Sequence, residues 1–227
     1  MSFSSVTVSL LEGFGLTVLL FVITLVLAIP LGLLMSLASM SKFKPLKWLM
    51  KIIIWIIRGT PLLLQIIVVT FIPSYLFKIE NKVVANFFGL TIANLNFAFC
   101  VIAFTINYAA YFSEIFRGGI ESIPKGQYEA CTVLGMTKRQ TFRKVILPQV
   151  IKRIVPPMGN EIITLVKDTA LARAIGVVEI IKNAQNAVNI NVTIWPLFYA
   201  GAFYLIFNGL ITIILKFVEK KLNYYRG

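Results

Sequence analysis

The chain has no histidine anywhere in its 227 residues. That excludes imidazole-ligated zinc and haem, Ser-His-Asp catalysis and histidine proton relays. Acidic residues are also scarce, 9 Asp+Glu against 22 Lys+Arg, and only 14% of residues are charged. There is no Gly-Lys dipeptide, so a P-loop of the Walker type is absent and any nucleotide chemistry belongs to another polypeptide. The two cysteines, Cys100 in an apolar run and Cys131 in a basic stretch, are expected near opposite sides of the membrane interior. They make no disulfide framework and are read as free thiols.

What is abundant is hydrocarbon: 58% of residues are hydrophobic and the mean hydropathy is +0.85. A soluble globule does not carry this composition. At ~20 apolar residues per crossing, the chain has length for four to six spans and no separate soluble domain. Its net charge of +13 would indicate nucleic acid in a soluble protein. In a membrane protein it belongs to cytoplasmic loops, and no nucleic-acid partner is expected.

Five transmembrane helices are expected, over about 11–40, 50–77, 96–116, 152–178 and 194–217, in one all-α membrane domain covering 1–227. The first, uncharged from Gly13 to Ser41, is too long and wrongly flanked for a cleaved signal peptide. It carries Ala28, Gly32 and Ser36 at the four-residue spacing that lets helices approach closely in lipid. The fourth is depressed in hydropathy by Glu161, Lys167, Asp168 and Arg173. Charge asymmetry decides that it crosses. Lys42, Lys44, Lys47 and Lys51 follow the first span, and Arg117, Lys125, Lys138, Arg139, Arg143, Lys144, Lys152 and Arg153 follow the third. Only with five crossings do both groups share the cytoplasmic side with Lys216, Lys220, Lys221 and Arg226 of the tail. The N-terminus is then outside and the C-terminus cytoplasmic.

Ionisable groups at the bilayer centre cost ~2.5–3.5 kcal/mol each on insertion scales, so the fourth helix faces protein or water. At about 100° per residue, Asn160, Glu161, Thr164, Lys167, Asp168 and Leu171 share one face, with Arg173 pointing away. Pro156-Pro157 and Gly159 are expected to kink or loosen the start of this helix. The stripe either lines a solute path suited to a zwitterion or pairs with neighbouring helices. Arg58 is a gate, an ion-pair anchor or a snorkelling interfacial arginine near Trp48 and Trp55, and Gln65 either faces the path or is a packing amide.

The connection of about 117–150 has the marks of structure. Pro124-Lys125-Gly126 opens a short helix, Gly135 fits its C′ position, and Thr137 with Gln140 forms a capping box for a second helix running to Leu147-Pro148. The first helix carries Tyr128, Ala130, Cys131, Val133 and Leu134, more apolar surface than a solvated loop needs, which marks it for docking.

Glu129-Ala130-Cys131, three residues, Gly135, nine residues and then Val145-Ile146-Leu147-Pro148 resembles the EAA loop of ABC importer permeases. Arg58 to Gln65, Glu114 to Gln127, Pro156-Pro157, Asn160-Glu161 and Lys167-Asp168-Thr169 look like the polar amino acid permeases, the histidine, glutamine, arginine and cystine type. The resemblance spans about residues 10–222. It implies a type I ABC importer permease fold and, through Gln127, Glu129, Ala130, Gly135, Leu147 and Pro148, coupling to a cytoplasmic ABC ATPase dimer. It also implies a second permease subunit, identical or paralogous, an extracellular or periplasmic amino acid-binding protein, and residence in a bacterial cytoplasmic (inner) membrane. ATP and magnesium would reside in the ATPase; this chain needs no cofactor or metal and is not itself an enzyme. The expected path residues are Gln65, Asn160, Glu161, Thr164, Lys167 and Asp168. Where the family has Ser after Lys-Asp-Thr this chain has Ala170, so cationic, amide and neutral polar amino acids all stay open. The competing class is a self-sufficient secondary transporter or channel, for which the charged helix alone would serve.

Overall fold

The computed structural model describes residues 2–222, which are helical throughout apart from short connections. Arg226 of the basic tail lies outside the described residues. Helix α1 (Phe3–Ser39) starts at Ser2, whose side chain accepts from the Ser5 amide, and runs through Pro30. Then follow α2 (Lys44–Gly59), α3 (Leu62–Leu76), the short α4 (Asn81–Phe87) and the long α5 (Ile92–Glu121), capped by Thr91. Helix α6 (Lys125–Val133) and the single turn α7 (Lys138–Gln140) form the structured connection after α5, and α7 continues without a break into α8 (Leu147–Asp168). A 3₁₀ turn over Thr169–Ile175, α9 (Ile180–Asn191) and α10 (Trp195–Leu222) complete the chain.

Among the described residues, three helices, α1, α5 and α10, are long and apolar enough to cross a membrane, or four if the bent pair α2–α3 counts as one span. The expected continuous helix over 50–77 is therefore corrected. Its axis turns by 109° at Gly59-Thr60-Pro61, because Pro61 excludes helical geometry from the residue before it. The 15 residues of α3 reach only about 22 Å, less than the ~30 Å of a hydrocarbon core.

The second loop helix does not stop at Leu147-Pro148. Thr141–Ile146 widens into a π-helix, which accommodates the missing amide and the ring of Pro148 while the helix carries on. Nor do Pro156 and Pro157 end the helical run, since α8 continues through both to Asp168. What changes is the far end, where the α-helix tightens to 3₁₀ at Thr169 and stops at Gly176, φ +81°. There the Gly176 and Val177 amides return to the Arg173 and Ala172 carbonyls, and the Asn96 amide group donates to Ile175 C=O at 2.8 Å, tying the turn to α5.

The contacts fix the direction of each long helix. Gly119, Tyr108 and Asn96 of α5 meet Ile154, Asp168 and Ile175 in reverse order, so α8 is antiparallel to α5. Gln65 meets Asn107 while Val69 packs on Leu95 and Phe99, so α3 is antiparallel too. Phe3 stacks on Trp195, Phe14 meets Phe203, and Phe21 meets Phe207, which makes α1 and α10 parallel. Directions alternate along α1, α3, α5, α8 and α10.

The main core lies where α1, α5 and α8 meet, around Phe104, Tyr108, Phe112, Leu165 and Val166. Ala28, Gly32 and Ser36 are all buried, and a Cβ on Gly32 would stand 2.8 Å from the Ala109 carbonyl oxygen. The small-residue spacing thus serves the close approach of α1 to α5.

Candidate functional site

A cavity of about 500 Å³ opens between α8, α5 and the bend joining α2 to α3. Glu161, Thr164, Asp168 and Leu171 line it from α8 and its 3₁₀ extension; Asn107, Tyr108 and Tyr111 line it from α5; Thr60, Pro61, Leu62 and Leu63 close it at the bend. Helical periodicity places Glu161, Thr164 and Asp168 on one face, and the 3₁₀ turn carries Leu171 to the same wall. The volume falls in the ~300–1,000 Å³ range of small-molecule sites.

Some of its polar groups are held in place by neighbours. The Tyr108 hydroxyl, itself buried, donates to Asp168 Oδ2 at 2.6 Å. The Thr164 hydroxyl is returned to the Asn160 carbonyl at 3.0 Å. The lining's two charged groups, Glu161 and Asp168, are both acidic, so the cavity is set to receive a cation or an ammonium group.

Three of the expected path residues stand elsewhere. Asn160 and Lys167 are exposed and outside the lining, because the face that reaches the cavity is narrower than the polar stripe. Gln65 is a staple for the bend. Its Nε2 donates to the Ile57 carbonyl at 2.7 Å, the Thr60 carbonyl at 3.2 Å and Thr60 Oγ1 at 2.8 Å, and its Oε1 accepts from Asn107 at 3.0 Å. Its two N–H hydrogens are shared among these three oxygens, and the amide supports two lining residues, Thr60 and Asn107.

Tyr108, Tyr111 and Asn107 escaped the sequence reading because they sit in an apolar run with no charge to mark them. The available signal was polar spacing along α5, since Asn107 and Tyr111 are four residues apart. Arg58 lies over the Tyr111 ring at 5.2 Å and reaches Glu114 at 3.6 Å. Glu114 is held from its own helix by two bonds from Arg117, 3.1 and 2.6 Å, and Arg117 also reaches Glu121 at 2.6 Å. Arg58 is therefore an ion-pair partner between α2 and α5 at the edge of the cavity.

The second surface is the loop. Helix α6 ends in a Schellman motif, with the Gly135 amide on Thr132 C=O and the Met136 amide on Cys131 C=O, both at 3.0 Å, and Gly135 at φ +67°. Thr137 and Gln140 cap each other reciprocally. Cys131 is buried, as is Cys100, and both are free. Gln127, Glu129, Ala130 and Gly135 are exposed, with Val133 88% and Leu134 76% accessible, whereas Leu147 and Pro148 are half-buried behind them. The loop is braced from below by Ile123, Ile146 and Val150, by Gln149 donating to Gln127 at 3.2 Å, and by Arg153 donating to the Ser122 carbonyl. The loop thus presents an apolar, exposed tip on a braced base. Among the described residues no cluster of three or more metal-ligating side chains occurs.

Residues 28–224 match the model of the family described as binding-protein-dependent transport system inner membrane component. The chain is 38% identical over 215 residues to the L-cystine transport system permease protein TcyB of Bacillus subtilis, covering 94% of this chain and 86% of that one. It is 35% identical over 217 residues to the arginine transport system permease protein ArtQ of the same organism, covering 94% and 92%. A solved amino acid ABC transporter with histidines superposes at TM-score 0.79 with 31% identity over 97% of this chain and 99% of that one. An inward-facing MetNI methionine ABC transporter superposes at TM-score 0.67 with 18% identity over 98% of this chain and 100% of that one, a likeness of fold.

Proposed function

Because the chain belongs to the family of binding-protein-dependent transport system inner membrane components, we propose that it is the membrane-spanning permease subunit of an ATP-binding-cassette importer for a polar amino acid. The cavity walled by Glu161, Asp168 and the Tyr108 hydroxyl carries this reading, with the two carboxylates receiving the ammonium end of the amino acid. The names of the cystine and arginine relatives favour the same substrate class.

The alternation of helix directions supports five crossings, with the bent α2–α3 pair counted as one and α8 crossing with Glu161 and Asp168 turned to the cavity. Basic residues at the α1–α2 connection, the α6–α7 loop and the end of α10 favour a cytoplasmic place for those segments and an outside N-terminus.

The rest of the machine lies in other chains. A cytoplasmic ATPase dimer, holding ATP and magnesium, docks on Val133, Leu134 and the exposed residues around Glu129. A second permease subunit completes the path, and an external binding protein delivers the amino acid. Since α6 and α7 are braced on α5 and α8, closure of the ATPases moves those helices as rigid bodies and re-aims the cavity.

The test is reconstitution of the chain with its ATPase and binding protein in liposomes, with uptake of labelled amino acid read with and without ATP. ATP-dependent uptake abolished by Glu129→Lys, together with loss of the ATPase on purification, supports the reading. Uptake that needs neither ATP nor the ATPase would establish a self-sufficient transporter instead.

A further inference from the structure

Helix α2 is strongly amphipathic. Lys44, Lys47, Lys51 and Arg58 fall within about 60° of arc at 100° per residue, with Trp48 and Trp55 along one edge of that stripe. Ile54 is buried and Met50, Ile53 and Ile57 pack on the bundle. Leu49, Ile52 and Ile56 form a further arc that is 49–55% exposed, and the two tryptophans are 66% and 75% exposed. One helix thus offers protein-facing, hydrocarbon-facing and basic sides.

Its placement explains the division. The 109° turn into α3 sets α2 across the bundle rather than along it. It starts just beyond the inner end of α1 and finishes with Arg58 beside Glu114, two turns before the end of α5. Both ends lie near the cytoplasmic level of the bundle. An in-plane helix there meets hydrocarbon on one side and phosphate on the other, which is where tryptophan rings and lysine ammonium groups settle.

We infer that α2 is a lateral membrane-surface helix whose Lys44, Lys47 and Lys51 bind the phosphate groups of anionic phospholipids in the cytoplasmic leaflet, with Trp48 and Trp55 seated beside the headgroups. Arg58 is excluded from the lipid set because Glu114 and Tyr111 already engage it. The helix leads directly into Thr60-Pro61, which wall the cavity, so lipid held on α2 fixes one side of the solute site. The inference rests on the membrane topology of the proposed function, but binding is read without ATPase or amino acid, so its failure is separable from failure of the transport reading.

The test uses the full chain with Trp195→Phe in nanodiscs, so that Trp48 and Trp55 report. Brominated phosphatidylglycerol, diluted in phosphatidylcholine, is compared as a quencher with brominated phosphatidylcholine at the same fraction. The expected result is at least about five-fold more effective quenching by the anionic lipid, reduced to parity by Lys44→Gln/Lys47→Gln/Lys51→Gln and weakened by high salt. An unchanged melting temperature shows that the triple variant is folded. Equal quenching by the two lipids in the parent chain would overturn the inference. So would a preference that survives the triple substitution, or one lost only on neutralising Lys152, Lys216 and Lys220, the basic residues around a separate cavity between α8 and α10.

Discussion

The Tyr108 hydroxyl donates to Asp168 Oδ2 at 2.6 Å, bridging the middle of α5 to the last α-helical residue of α8. Asp168 is the point at which α8 gives way to the 3₁₀ turn, so the bond fixes both a cavity carboxylate and the end of the helix that carries it. Tyr108→Phe removes a donor from a carboxylate that burial has already separated from much of its water. A loss of about 1–3 kcal/mol in stability is expected, with a several-fold fall in uptake by the reconstituted importer. A double-mutant cycle with Asp168→Asn, read by thermal unfolding in detergent, should give a coupling energy of about 1–2 kcal/mol. Additive effects would show that the bond carries no net energy.

Gly32 and Gly15 lie on the same helix and should respond in opposite ways to the same substitution. A Cβ on Gly32 meets the Ala109 carbonyl oxygen at 2.8 Å and Phe112 Cβ at 2.9 Å, neither of which is a flexible chain end. Around Gly15 there is nothing within 4 Å. Gly32→Ala should therefore destabilise by about 1–3 kcal/mol through overpacking, while Gly15→Ala should be neutral or gain up to about 1 kcal/mol from helix propensity. Melting temperatures of the two variants, purified side by side, decide the matter.

These contrasts show what was legible in the sequence. The loop was legible because its turn chemistry is local: Gly135 has to be left-handed, and Thr137 and Gln140 satisfy each other within one turn. The small-residue stripe on α1 was legible because spacing alone names a face. The bend at Thr60-Pro61 was not, because hydropathy sums over it and Pro at a helix start is as common as Pro at a break. Nor was the division of the polar stripe on α8. Which of Asn160, Glu161, Thr164, Lys167 and Asp168 reach a cavity depends on where α5 lies, and the sequence of α8 holds no record of that.

Gly135 closes α6 at φ +67° with open space around its Cα, so Gly135→Ala costs backbone strain and no steric clash. That strain, about 1 kcal/mol, should loosen the Schellman turn and the orientation of Val133 and Leu134. Gly126, inside α6 and equally unobstructed, is the control, and Gly126→Ala should have no such cost. The expected outcome is weaker co-purification of the ATPase and lower amino acid-stimulated ATP hydrolysis for Gly135→Ala alone. Equal behaviour of the two variants would show that docking does not depend on the turn.

Gln65 holds the α2–α3 bend through four hydrogen bonds, one of them to Asn107 on α5. Gln65→Leu keeps the approximate bulk and removes every bond, leaving the Thr60 hydroxyl without its Gln65 partner and the Asn107 amide without its acceptor. A stability loss of about 2–3 kcal/mol is expected from the unpaired groups. The bend itself should also become more mobile, since Pro61 fixes only one side of it. Cysteine placed at Gly59, which is exposed with nothing within 4 Å of its Cβ position, provides the readout. Both native cysteines are buried, so a water-soluble maleimide should report mainly on the new thiol. Its labelling should accelerate in the Gln65→Leu background and stay fast with Gln65→Glu, whose second oxygen cannot donate and would face the Ile57 and Thr60 carbonyl oxygens. If labelling is unchanged by Gln65→Leu, the bend is held by Pro61 and packing alone.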